Sequence, residues 1–297
     1  MFKKILFPTK FGEFSLDILK SITCLKAAGL EEVVLLHVID TDIPYASLDW
    51  GTGADTELIE RVAIRRLSPY TDHLRSQDIG AKTRVCKGSL LSEMMKVAAE
   101  EQVSLIVAGR EQRGILGELF HSSTTPAIVR KSEVPVLIHK YHTIKEIAGQ
   151  VREFFCADLF RKILYPTDWS ACAVRAKAYL APLRQLGTSE VLAVHIARSW
   201  FTETEYMKES IRARLRKRSK DKLKALEKEL MQWGLRVESR LLEGRSAHQG
   251  ITELASEADA SMIVMGSNGQ GILARAIWGS VSPRVVEYSE KPVLVVK

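Results

Sequence analysis

The hexapeptide Lys4-Ile5-Leu6-Phe7-Pro8-Thr9 returns in the second half of the chain as Lys162-Ile163-Leu164-Tyr165-Pro166-Thr167. Three more blocks return in the same order: Leu36-His37-Val38 as Val194-His195-Ile196, Val107-Ala108-Gly109 as Val264-Met265-Gly266, and Val134-Pro135-Val136-Leu137 as Lys291-Pro292-Val293-Leu294. Matching strand-like blocks in order mean that one structural plan is used twice, so any fold for this chain must be a fold for half of it. The length of 297 residues agrees, being enough for about two ordinary domains, each with its own core. The repeat predicts a first domain over residues 1–140, a partly helical linker over 141–159 with no counterpart at the start of the chain, and a second domain over 160–297.

Within each copy, short runs of Val, Ile and Leu alternate with longer amphipathic stretches. In the second copy the pattern predicts strands at 162–166, 190–196, 236–242, 261–266 and 292–296, with helices at 171–186, 203–233, 249–258 and 280–289. The fold expected is α/β, with two tandem doubly wound domains, each a five-stranded parallel sheet with helices on both faces. Such sheets accept ligands at the carboxyl ends of their strands, near the switch in strand order, so the informative residues should follow strands one, two and four.

Hydrophobic residues make up 46% and charged residues 27%, and no apolar run approaches the roughly 20 residues that span a bilayer. Residues 1–10 hold only a three-residue apolar run before Pro8, too short for a signal peptide, so a cytoplasmic protein that enters no membrane is expected. Cys24, Cys86, Cys156 and Cys172 lie far apart, which suggests neither a zinc site nor a disulfide framework and fits a reducing compartment. The net charge of +7 is local: eight basic residues and one acid, Asp221, fall between positions 212 and 224, and the rest of the chain is balanced. At helical spacing Ile211, Leu215, Leu223, Leu226, Leu230 and Trp233 share one arc and most of the basic residues the opposite one. The basic run therefore reads as a solvated helix face. Contact with nucleic acid, lipid headgroups or an acidic partner is the minority reading, and nucleic acid lacks the interleaved aromatics that base stacking needs.

The chemistry concentrates after the fourth strand of the second copy, in Gly-Ser-Asn-Gly-Gln-Gly-Ile-Leu-Ala-Arg-Ala-Ile-Trp-Gly-Ser, residues 266–280. Gly266, Gly269 and Gly279-Ser280 let backbone approach phosphate oxygens without a Cβ in the way, and a helix starting near Ser280 would add its N–H groups. With this loop, a first strand ending in Pro166-Thr167-Asp168 and a second ending in His195-Ile196, the chain resembles a tandem universal stress protein of the ATP-binding kind over nearly its whole length. The resemblance implies that Asp168 and the backbone of Ile196 hold adenine and that Pro166 and Thr167 line the nucleoside pocket. Met265, Gly266, Gly269, Gly279, Ser280 and Val281 would enclose ribose and phosphates, with Gly244 on the ribose side. It also implies ATP or AMP as ligand, with any Mg2+ or Mn2+ held through the phosphates.

The first copy departs where it matters: Lys10 stands for Asp168, Gln112 for Gly269 and Ser122 for Gly279, although Gly109 and Ser123 remain. An ammonium cannot accept from an adenine amino group, so one nucleotide per chain is expected, in the second copy. A Gly-x4-Gly-Lys-Ser/Thr loop and a Ser-Gly-Gly-x-Asp-Ser loop are both absent, which weakens dedicated phosphoryl-transfer chemistry. No carboxylate pair or Ser-His-Asp set can be assembled near the glycine loop beyond Asp168 itself. His37 and His195, at strand ends, read as structural residues, while His121 and His248 lie in or near loops with no identifiable partner.

The function expected is a nucleotide-binding regulatory or stress-response protein. The alternatives are a weak metal-dependent ATP hydrolase and a nucleotide-free interaction scaffold. Members with a single domain pair through the edge of the fifth strand, so residues 134–138 and 292–296 should pair within one chain as a pseudo-twofold body. Further association into a homodimer stays open.

Overall fold

The computed structural model describes residues 1–11, 15–39, 56–110, 124–140, 159–197, 209–244, 246–269 and 279–297. The chain divides into two compact units, Met1–Phe154 and Phe155–Lys297. The expected linker, except for Leu159, falls outside the described residues.

The first unit runs β1 (Lys4–Pro8), α1 (Ser15–Ile22), β2 (Glu32–Ile39), α2 (Thr56–Ser76), β3 (Gly80–Lys87), α3 (Leu90–Glu100), β4 (Leu105–Arg110), α4 (Thr124–Lys131) and β5 (Val136–Lys140). The second repeats the plan as β6 (Lys162–Pro166), α5 (Ala171–Lys177), β7 (Glu190–Ala197), α6 (Glu209–Gln232), β8 (Arg236–Glu243), α7 (Ala247–Glu257), β9 (Met262–Gly266), α8 (Ser282–Tyr288) and β10 (Val293–Val296). Sheet order is β3-β2-β1-β4-β5 in the first unit and β8-β7-β6-β9-β10 in the second. The pairs β6/β7, β7/β8, β6/β9 and β9/β10 are all parallel, as are their counterparts β1/β2, β2/β3, β1/β4 and β4/β5. Each unit is thus a doubly wound α/β domain. The central strands are apolar on both faces, with Ile5, Leu6 and Phe7 of β1 and Ile163, Leu164 and Tyr165 of β6 buried, because helices cover both sides of a parallel sheet.

Two expected helices differ in ways that bear on the site. The stretch 171–186 is α5, a helical turn at Leu180–Leu183 and a 3₁₀ turn at Arg184–Leu186. Pro182 lies in that stretch; it has no N–H to donate and its ring crowds the preceding turn. The last helix starts at Ser282 with Pro283 in its first turn, which leaves Ser280 before it, exposed.

The apolar arc of α6 is also shorter than its sequence suggests. Leu223, Leu226 and Leu230 are buried, but Ile211 and Leu215 are 41% and 43% exposed. The 24-residue helix is about 36 Å long and the eight-residue strand β8 it precedes about 26 Å, so the first turns of α6 run past the carboxyl ends of the strands. Among the described residues the sheet ends beneath these turns, which leaves Ile211 and Leu215 exposed.

At the amino ends of the first unit's strands, Glu101 is buried among three cations. Lys4 Nζ lies at 2.8 Å, Lys82 Nζ at 2.8 Å and Arg84 Nη1 at 2.7 Å. Lys4 first, then Lys82 and Arg84, hold its carboxyl down at about 2, against the cost of burial. Cys86 and Cys172 are free thiols and Cys24 is disulfide-bonded, where the spacing of the cysteines suggested no bridge; the cysteines therefore do not argue for a reducing compartment. Among the described residues no helix is long and apolar enough to cross a membrane.

Candidate functional site

The second sheet switches direction at β6: the chain lays down β7 and β8 on one side and then crosses to β9 and β10 on the other. The carboxyl ends of β6 and β9 flank the crevice where such a sheet accepts a ligand.

Pro166 ends β6, and the Thr167 N–H donates to the Val194 carbonyl at 2.8 Å, prolonging the ladder by one residue. The buried Thr167 turns the chain, its Oγ1 accepting the Trp169 N–H at 3.1 Å while Trp169 adopts a left-handed backbone (φ 61°). That turn puts Asp168 at the rim of the crevice, with its Oδ1 accepting the Ser170 N–H at 3.0 Å. Ser170 caps α5: its Oγ accepts from the Ala173 N–H at 3.2 Å and donates to the Asn268 carbonyl at 3.0 Å. A single hydroxyl therefore ties the β6 turn to the glycine loop.

Across the crevice the glycines divide by what they approach. A Cβ on Gly266 would lie 2.7 Å from Ala173 N and from Cys172 C, so β9 passes against the start of α5 with no room for a side chain. A Cβ on Gly269 would lie 2.7 Å from Asp168 Oδ2. Gly279 is buried, its N–H donating to Asn268 Oδ1 at 2.9 Å, and a Cβ there would come within 3.4 Å of Asn268 Cα and Gly269 N. Asn268 thus joins the two described ends of the loop, while residues 270–278 lie outside the described residues. The Ser267 N–H donates to Val296 O at 2.7 Å and the Ser282 hydroxyl to Ser267 O at 2.5 Å, which fastens the loop to β10 and α8.

The structure thus brings Thr167, Asp168, Gly266, Gly269 and Gly279 to one crevice. Met265 is buried in β9 and paired with Val295. Ile196 lies near the end of β7 opposite Leu242, and Val281 caps α8 beside the exposed Ser280. Gly244 follows β8, and an added Cβ there would meet nothing within 4 Å; its φ of +77° is reason enough for glycine.

Four contributors were not singled out from sequence: Trp169, Ser170, Asn268 and Lys222. The Asp-Trp-Ser run and the Asn between two loop glycines were visible, but the bond that joins them, Ser170 Oγ to the Asn268 carbonyl, crosses from the β6 turn to the loop after β9. His195 Nδ1 lies 2.8 Å from the Thr167 carbonyl, and its ring is 4.1 Å from that of Trp169. Burial holds its pKa below the usual value, so it is neutral near pH 7 and donates from Nδ1. Lys222, from α6, sits 4.6 Å from the Trp169 ring. The Tyr165 hydroxyl donates to Ala173 O at 2.7 Å, and burial pushes its pKa up to about 12, so it stays a donor. The His248 ring lies 5.9 Å from that of Tyr288, tilted by 38°.

The first unit keeps this scaffold without its carboxylate. The Phe11 N–H donates to Thr9 Oγ1 at 3.0 Å, φ of Phe11 is 63°, His37 Nδ1 lies 3.0 Å from Thr9 O, and the Phe11 and His37 rings are 4.3 Å apart. Lys10 occupies the place of Asp168. Gln112, His121, Ser122 and Ser123 lie outside the described residues.

Chemically, the crevice of the second unit offers a fixed carboxylate acceptor, Asp168, beside the described glycines of the loop, Gly269 and Gly279. This suits a ligand with a donor-bearing base and a bulky anionic tail. Among the described residues no group of three or more His, Cys, Asp and Glu is arranged to hold a metal.

A family model described as "Universal stress protein family" matches residues 1–140 and 159–297. Universal stress protein MJ0577 of Methanocaldococcus jannaschii is 30% identical over 156 residues, covering 47% of this chain and 96% of that protein. Universal stress protein MJ0531 of the same organism is 34% identical over 151 residues, covering 47% and 84%. The crystal structure of a universal stress protein from Archaeoglobus fulgidus superposes with a TM-score of 0.69 at 24% identity, covering 99% of this chain and 96% of that one, a likeness of fold.

Proposed function

Since the chain belongs to the universal stress protein family as two tandem copies, we propose that it is an adenine-nucleotide-binding regulatory protein of the stress response, with ATP or AMP held in its second copy alone. The observation that carries the reading is the joint between Asp168 and the glycine loop: Oδ1 is held by Ser170, and Oδ2 faces Gly269 so closely that an added Cβ would start 2.7 Å away and force the carboxylate to move. A carboxylate so fixed accepts from an adenine amino group and repels the carbonyl that guanine presents at the same place. Gly269 and Gly279 put no side chain between the loop backbone and the ribose and phosphates, Gly266 lets β9 pass close to the start of α5, and a divalent metal would be held through those phosphates rather than by the protein. Lys10 in the first copy has only hydrogens to offer at the equivalent point.

Calorimetric titration with ATP tests this. The expected stoichiometry is near one per chain, and ATP should exceed GTP by roughly ten- to a hundredfold, the worth of a hydrogen bond to a charged acceptor. Asp168→Asn should remove that preference; a stoichiometry near two, or an unchanged preference in Asp168→Asn, refutes the assignment. The same reading has the edge strands at 134–138 and 292–296 pairing within one chain. Cysteines introduced on the two strands should then cross-link intramolecularly, and failure at every register would refute the pairing.

A further inference from the structure

The crossover helices α2 and α6, which hold the same place in the two copies, share a pattern that nucleotide binding does not use. In α2 it is Leu58, Arg61, Val62, Arg65, and in α6 it is Ile211, Arg214, Leu215, Arg218. Positions i, i+3, i+4 and i+7 fall on one face of a helix. These faces point outward: Leu58 and Val62 are 43% and 40% exposed, Ile211 and Leu215 are 41% and 43%, and the four arginines are exposed. In α6 the row of cations continues through Lys217 and Lys222, which with Asp221 line a shallow, open depression on the surface.

The arrangement is costly in isolation. Basic side chains near the start of α6 oppose the helix dipole, and Arg214/Arg218 and Arg218/Lys222 are like charges four residues apart. Arg216 is ion-paired with Glu243 at 3.1 Å, on the side toward β8. A partner that supplies negative charge to this face relieves both terms.

We propose that these faces are docking surfaces for an anionic lipid membrane, with the basic side chains on lipid phosphates and the apolar pairs entering the headgroup layer. Clustered Lys and Arg on an amphipathic helix are attracted to anionic leaflets. The exposed apolar pairs favour lipid over nucleic acid, because a nucleic-acid backbone offers them nothing, whereas a headgroup layer buries them. No aromatic residue lies between positions 211 and 224 to stack on bases, and Trp169, close to Lys222, is already packed in a tilted contact with the His195 ring.

The test is co-sedimentation of the full chain with vesicles of phosphatidylcholine alone and of an equal mixture of phosphatidylcholine and phosphatidylglycerol, at low and high salt. The chain should pellet with the mixed vesicles only, and salt should weaken the binding. Arg214→Glu with Arg218→Glu should lower the partition coefficient by on the order of tenfold or more. Ile211→Ser with Leu215→Ser leaves the charge untouched and should lower it several-fold, as should Leu58→Ser with Val62→Ser. All six positions are exposed, and thermal melting shows whether each variant is folded. Absence of binding to the mixed vesicles overturns the proposal. So does binding that the serine variants leave unchanged, or a single-stranded RNA that displaces the vesicles at equal phosphate concentration; the last result would make the surface one for nucleic acid.

Discussion

Gly269→Ala isolates the joint on which the nucleotide reading rests. The new Cβ would start 2.7 Å from Asp168 Oδ2, and contact becomes ordinary only from 3.4 Å, so the carboxylate must retreat by more than half an ångström. The backbone does not object, because Gly269 is not among the glycines with positive φ. The retreat is constrained at the other oxygen, where the Ser170 N–H holds Oδ1 at 3.0 Å. Either that bond stretches or the acceptor turns away from the base, and a hydrogen bond to a charged group is worth about 1.5 to 3 kcal/mol. ATP affinity should therefore fall roughly ten- to a hundredfold while the fold loses about 1 kcal/mol. Calorimetric titration and thermal melting on the same preparation separate the two effects. Gly266→Ala is the contrast: its Cβ meets backbone of Cys172 and Ala173 at 2.7 Å, which cannot swing aside, so it should destabilise by about 1 to 3 kcal/mol. A double-mutant cycle decides the cause. If Gly269→Ala acts through Asp168, then adding Asp168→Asn should cost little more. Additive losses, or normal ATP binding by Gly269→Ala, refute the reasoning.

Gly279→Val should abolish ATP binding, since a Cβ there would sit in ordinary contact at 3.4 Å from Asn268 Cα and Gly269 N while the branched methyls would enter the phosphate path, whereas Ser280→Ala should cost only about 1 to 3 kcal/mol of binding. A stable Gly279→Val protein with normal affinity would remove the loop from the site. Glu101→Gln should destabilise the first unit at neutral pH; the depressed carboxyl corresponds to roughly 3 kcal/mol, discounted to about 1 to 2 because Lys4 and Lys82 are partly exposed. A carboxyl whose folded pKa is lowered stabilises fully above its ordinary value of 4.5 and loses that contribution as the pH falls toward about 2. The difference in melting temperature between wild type and Glu101→Gln should thus close between those pH values, and a constant difference would contradict the account.

The sequence by itself determined the duplication, the strand pattern and the asymmetry between the copies. Each rests on local information: the repeated Lys-Ile-Leu-aromatic-Pro-Thr block, the apolar periodicity, and Lys10 against Asp168. It also marked Gly266, Gly269 and Gly279, since glycine is conspicuous wherever backbone must come close. What each glycine approaches was decided only by tertiary structure. Gly266 meets the start of α5 and Gly269 meets Asp168, a carboxylate about a hundred residues away in the chain, because the switch in strand order sets β6 beside β9. Ser170 and Asn268 escaped notice because their bonds join residues distant in the chain, Ser170 Oγ to the Asn268 carbonyl across the crevice and Asn268 Oδ1 to the Gly279 N–H across the loop. The exposed half of α6 was hidden by a different one. Periodicity puts Ile211 on the same arc as Leu223 and Leu226, but it carries no information on where the sheet beneath the helix ends.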